Sequence, residues 1–210
     1  MWKFIIGSAL VATLVVVASA RAAYGDPRLD AVATSVAGHP VQVSCGSTPT
    51  DWAATEAANH SVEADGFTFI GQVSTTGAGI IYLAPRICDT LEALLSPYHD
   101  DVGPYWASLA IKTIIHESIH QRGVTDESVT DCTALTLVQQ YAVSSFGYPA
   151  TVSTTTLVKK TVVVRVARVV RKVTTYVPKT VTVPNPALAE LQADAVAWHH
   201  ALPPVYQTQC

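Results

Sequence analysis

The sequence predicts an α+β fold that is mainly helical: one buried helix, a short β-hairpin before it and a second amphipathic helix after it. Three observations carry this expectation. Residues 104–122 contain Trp106, Leu109, Ala110, Ile111, Ile114, Ile115 and Ile119, which are apolar on nearly all sides of a helical repeat. Phe67-Thr68-Phe69-Ile70 and Ile80-Ile81-Tyr82-Leu83 are strand-forming runs joined by a Ser/Thr/Gly loop over 74–79. Beyond residue 126, Glu127, Asp131, Ala134, Leu135, Val138 and Ala142 fall on one helix face. At 210 residues, 49% hydrophobic and 14% charged, the chain suits one domain with a real core and some length to spare.

Taken in order, Met1-Trp2-Lys3 leads into an apolar run over 4–20 that ends in Ala18-Ser19-Ala20, with Arg21-Ala22-Ala23 as a second small-residue exit. This describes a signal peptide over 1–20 and a secreted or extracytoplasmic protein. At 17 residues the run also reaches the lower limit for spanning a bilayer, so an uncleaved membrane anchor is the alternative. The core is expected over 24–150. Asp26-Pro27 opens a short helix that Gly38 closes, and residues 50–64 read as a second helix anchored by Trp52. Pro85 starts a helix carrying Cys88, Leu91, Leu94 and Leu95. Gly103-Pro104 opens the central helix, Gly123 ends it, and Thr125 or Asp126 caps the next one through about Phe146.

Outside the cytoplasm the four cysteines, none in a C-x-x-C pair, read as two disulfides rather than metal ligands. Three connectivities are open. Cys45–Cys88, within the N-terminal half, and Cys132–Cys210, tying the C-terminus to the centre, are the favoured pair.

Residues 151–186 differ from the rest as a basic insertion rich in Val and Thr. Seven cations, Lys159, Lys160, Arg165, Arg168, Arg171, Lys172 and Lys179, lie there without an acid, giving +7; the other 6 cations and 16 acids sum to −10. The valines favour strand, yet the spacing of Val162, Val166, Val169 and Val173 also fits a helix. Two roles are open: an arm for an anionic surface or polymer (cell-wall polymer, lipid or nucleic acid), or an exposed ribbon or flexible insertion packing on the acidic remainder. Residues 187–210 are expected to add a helix and a tail closing on the core.

The central helix holds His116-Glu117-Ser118-Ile119-His120. Two histidines four apart share one face and can reach one ion, and Glu117 sits where it can take a proton from water. The strongly polar side chains of this otherwise apolar helix cluster at these three positions and need partners; zinc supplies one, and core hydrogen bonds are the alternative. The H-E-x-x-H pattern resembles the zincin signature. That resemblance implies a zincin-like core, a Zn²⁺ cofactor held by His116 and His120, and Glu117 as the catalytic base.

A third ligand has two candidates. The run from His116 through Gly123 to Asp126 resembles the metzincin motif, which also requires a methionine turn; the chain's one methionine is Met1. Glu127-x-x-x-Asp131 resembles the gluzincin pattern, in which glutamate binds zinc and the acid one turn later orients a zinc-bound histidine. Glu127 is therefore the expected ligand, Asp126 the alternative and Asp131 the orienting group.

The order of features is similar to a family of small secreted HExxH proteins found in actinobacteria. The matching parts are Cys45-Gly46 with Trp52 nearby, Leu83-Ala84-Pro85 before Cys88, the run from His116 to Cys132, and a terminal Leu202-Pro203-Pro204-x-Tyr206 with Cys210. The likeness covers about residues 40–148 and 187–210 and implies a metallopeptidase-like fold with this cysteine pairing. The zincin resemblance, by analogy, implies a zinc-dependent hydrolase acting on a peptide or protein substrate, and no nucleotide cofactor is expected. A strand such as 80–83 would pair with the extended peptide through its edge. Tyr82, Tyr98, Tyr105, Tyr141, Tyr148, His199 and His200 are the candidates for an oxyanion donor. Two rivals are a non-catalytic zinc-binding module acting through the basic segment, with His199 or His200 closing a four-ligand site, and a metal-free surface protein.

Overall fold

A computed structural model describes residues 26–46, 52–54, 66–73, 77–97, 101–166, 169–202, 207 and 210. The expected signal peptide, and the helix expected over 50–64 apart from residues 52–54, lie outside them.

Caps and prolines set the helix starts. The Asp26 carboxylate accepts from the Arg28 amide at 2.8 Å and Pro27 follows, so α1 spans Pro27–Ala37 and stops where Gly38 turns left-handed at φ 78°. Pro85 and Pro104 open α2 (Pro85–Leu94) and α3 (Pro104–His120), where a missing N–H costs nothing. Asp126 caps α4 (Glu127–Ser144), and Asn185 with Pro186 behind it caps α5 (Pro186–Ala201). The fold is α+β, and about half of the described residues are helical.

Every residue of α3 from Ala107 to His120 is buried, with α1, α2, α4, α5 and a small sheet packed round it. Trp106, expected inside, is only half-buried. The sheet contains β1 (Val41–Cys45), β2 (Gly66–Val73) and β3 (Gly79–Leu83) in the order β1-β3-β2, β1 parallel and β2 antiparallel to β3. The β2–β3 pairing follows the expected hairpin, whereas β1 was not anticipated. Its presence corrects one expectation: β3 is the central strand, bonded on both sides, so residues 80–83 offer no edge to a peptide. The outer edges belong to β1 and β2.

Gly66 shows how closely β2 lies on the central helix. A Cβ there would meet Leu83 Cδ2 at 3.0 Å and Thr113 Cγ2 at 3.1 Å, one turn of α3 before His116. Disulfides join Cys45 at the end of β1 to Cys88 on α2, and Cys132 on α4 to Cys210. Closing these loops stabilises the fold by about 4 kcal/mol each on a chain-entropy account. Two disulfides fit an oxidising, extracytoplasmic setting. Among the described residues no helix is long and apolar enough to cross a membrane.

The basic segment is strand, not helix. β4 (Thr151–Val166) pairs antiparallel with β5 (Val169–Pro184) from Thr151↔Pro184 to Val166↔Val169. Buried Asn185 pins the base, its Nδ2 donating to the Pro149 carbonyl at 2.8 Å and its amide to that of Ala150 at 3.1 Å.

Gly66→Ala is expected to lower stability by about 1–3 kcal/mol through overpacking against Thr113 and Leu83. Denaturant unfolding at unchanged m-value checks this; an unshifted midpoint would mean that β2 does not press on α3.

Candidate metal centre

α3 ends at His120, with Gln121 as its C-cap, a little before the expected stop at Gly123. Gly123 takes φ 86°, its amide donates to the His120 carbonyl at 2.8 Å, and the chain reverses into α4. Asp126 is exposed and spends its carboxylate on this reversal, accepting from the Val129 amide at 3.1 Å and the Ser128 hydroxyl at 2.7 Å. These bonds hold its carboxyl below the usual range, the Ser128 hydroxyl first. Asp126 is placed as a helix cap, away from the histidines.

Glu127, the next residue, faces inward. Its Oε2 lies 3.0 Å from His116 Nε2 and 3.2 Å from His120 Nε2, and the two Nε2 atoms are 3.0 Å apart. His116, His120 and Glu127 thus form a group able to hold a metal ion.

The hydrogen-bond roles explain why such a cluster wants a cation. His120 Nδ1 lies 2.7 Å from the Val124 carbonyl, which can only accept, so Nδ1 carries the hydrogen and Nε2 of the neutral ring the lone pair. His116 Nδ1 likewise faces the Asp131 carboxylate at 3.4 Å, leaving its Nε2 as an acceptor. Three acceptor atoms therefore converge with their other polar atoms turned outward. Their spacing of 3.0–3.2 Å is close to the edge of about 3.3 Å of a tetrahedron with bonds of 2.0–2.1 Å. Donor types, spacing and burial all fit a divalent ion.

Without metal a proton takes the place. Burial alone would push the His116 pKa down, but hydrogen bonds to Asp131 and Glu127 and the nearby Glu117 charge raise it to about 10. For Glu127 burial pushes up, while hydrogen bonds from His116 and His120 win and lower it to about 2.

Asp131 supports the cluster from below. Its carboxylate pairs with Lys112 on α3, faces His116 and meets His199 Nδ1 of α5 at 2.5 Å, all of these groups being buried. Burial raises its pKa, but the His116 hydrogen bond and the Lys112 charge lower it well below the carboxylate range. Lys112 is a correction to the expectation that α3 keeps its strongly polar groups at 116, 117 and 120: one turn earlier, a lysine is buried at 5% exposure. The i, i+4 spacing of Lys112 and His116 was the available signal. Glu117 is buried beside His116 on the same helix.

His199 points its Nδ1 at Asp131 rather than into the cluster, and among the described residues three ligands gather there, not four. Of the other residues expected as oxyanion donors, the Tyr141 hydroxyl meets Ser35 Oγ at 3.3 Å, Tyr105 stacks edge-on to Trp106, and Tyr98 lies outside the described residues. No family model, curated protein or solved structure matches the chain.

This arrangement leads to two expected outcomes. With His116 protonated below about 10 and Glu127 already ionised above about 2, metal uptake at pH 7.5 should release about one proton per chain. Calorimetric titration in buffers of different ionisation heat measures this, and no release would contradict the protonated His116. The affinity should rise about tenfold per pH unit up to about 10. Asp131→Asn should cost about 3–5 kcal/mol in denaturant unfolding, since it removes the negative charge from a buried ion pair with Lys112.

Proposed function

We propose that the chain is a zinc-dependent hydrolase, most naturally a metallopeptidase, with His116, His120 and Glu127 as zinc ligands and Glu117 as general base. One observation carries the proposal: three acceptor atoms 3.0–3.2 Å apart, with both outward imidazole nitrogens engaged by acceptors of their own. Two imidazoles and one carboxylate suit zinc, and three protein ligands leave a coordination place open, as catalytic sites require. Zinc held there would supply Lewis acidity, polarising a scissile carbonyl and bringing water within reach of a base near neutral pH.

The chain's own groups do the rest. Glu117 takes the proton from the attacking water on its carboxylate and returns it to the leaving amine. Asp131 orients His116 through Nδ1, and Lys112 and His199 fix Asp131 in turn. With β3 central, the outer edge of β2 is the place for an extended peptide, because Gly66 brings that strand onto α3 beside Thr113. A peptidase is favoured over other hydrolases by analogy with zincins, whose signature the H-E-x-x-H run resembles.

The non-catalytic reading, in which zinc is structural, draws on the alternative of a fourth ligand from His199. Its bond to Asp131 favours the three-ligand site.

Elemental analysis should find one zinc per chain in wild type and in Asp126→Ala, and none in Glu127→Ala. Asp126→Ala should lose about 1 kcal/mol of stability as a missing cap. Glu117→Gln should keep its zinc while hydrolysis of a peptide library falls by about 10²–10⁴-fold. A well-folded wild type that takes up no zinc, or a Glu117→Gln variant of full activity, would overturn the proposal.

A further inference from the structure

The β4–β5 arm takes no part in the metal centre and carries an apolar surface of its own. Its register puts Val158 opposite Val177 and Val162 opposite Val173 on one face. These four valines remain 42%, 40%, 38% and 46% exposed, whereas pairs at the base, such as Val152 with Val183, are partly covered. Lys160 and Lys179 stand on the same face; the opposite face mixes threonines, Lys159 and Lys172 with Leu157, Val163 and Tyr176, which are 69%, 59% and 62% exposed. At 16 residues per strand the arm is about 50 Å long. Two strands without a covering layer are marginally stable in water, and the described residues of the valine face are exposed from Thr156 to Val162 and from Val173 to Lys179.

We propose that this arm is a docking surface for an anionic lipid bilayer. Such a surface accepts both halves of what the arm presents. Valines enter the boundary between headgroups and acyl chains, while lysines meet phosphates, their long stems letting the charges reach up from the apolar face. Seven cations without an acid across 151–184 give the attraction its sign. A nucleic acid or a polyanionic polymer would use the charges but offers nothing for the valines.

A second copy of the chain fits less well. Two arms laid face to face bring +7 against +7. The exposed large hydrophobic residues described outside the arm, Tyr105, Val129, Val143 and Val196, are spread over α3, α4 and α5.

The test is flotation of the chain from Ala22 onward, which keeps every described element and omits the apolar N-terminal run. Vesicles of phosphatidylcholine with about one quarter phosphatidylglycerol are compared with phosphatidylcholine alone. Wild type should float with the anionic vesicles only. Reversing Lys159, Lys160, Lys172 and Lys179 to Glu should reduce the partition coefficient by more than about 100-fold.

A second variant, Val158→Thr with Val162→Thr, Val173→Thr and Val177→Thr, keeps charge, side-chain shape and strand propensity. It should weaken partitioning about tenfold or more. Far-ultraviolet circular dichroism and zinc content monitor the fold of both variants. Failure of wild type to float would overturn the proposal. So would a threonine variant that floats as wild type does, or binding of wild type to soluble polyphosphate in place of vesicles.

Discussion

One buried carboxylate holds the molecule's working parts in register. Asp131 on α4 takes Lys112 and His116 from α3 and His199 from α5, so three helices meet on two oxygen atoms. Burying such a charge is costly unless every lone pair finds a donor, and here both oxygens do. The arrangement is therefore all-or-none. If α5 slides, Asp131 loses one donor; if α3 rotates, it loses two, and His116 loses the group that sets its tautomer. The Cys132–Cys210 disulfide, one residue along from Asp131, fixes the same stretch of α4 covalently.

How much of this was legible in the chain depends on how local the cause was. The helix starts were readable because their signals lie within three residues: Asp26-Pro27, Gly103-Pro104, and Asp126 before Glu127. The inward face of α4 was readable from spacing alone, since Asp131, Ala134, Val138 and Ala142 recur at helical intervals and all are buried. Non-local pairings left weaker marks. β1 is five residues long, and its parallel partner β3 lies some 38 positions away across an intervening strand, so nothing near Val41 announces it. Missing β1 made β3 look like an edge. Lys112 was passed over because its partner is 19 residues on, and the pairing of His199 with Asp131 because they are 68 residues apart. The strand-or-helix ambiguity of 151–184 had another origin. Runs of valine satisfy both periodicities, and only the cross-strand pairing decides between them.

The neighbouring acids Asp126 and Glu127 show why a third ligand was hard to assign from spacing. Both follow Gly123 closely enough to reach the two histidines, and both are ionised. Starting a helix separates them. The residue before the first turn must turn its carboxylate back onto exposed amides, and Asp126, with the shorter side chain, does so through Val129. The next residue has helical geometry and a longer reach, so its carboxylate is free to turn toward α3. Position in the first turn adds a favourable field for a negative charge, since the unpaired amides there carry the positive end of the helix dipole. The cap and the ligand are thus one device: Asp126 fixes where α4 begins, and that start aims Glu127 at His116 and His120. Moving the cap by one residue would rotate the carboxylate about 100° round the helix and empty the third corner of the site.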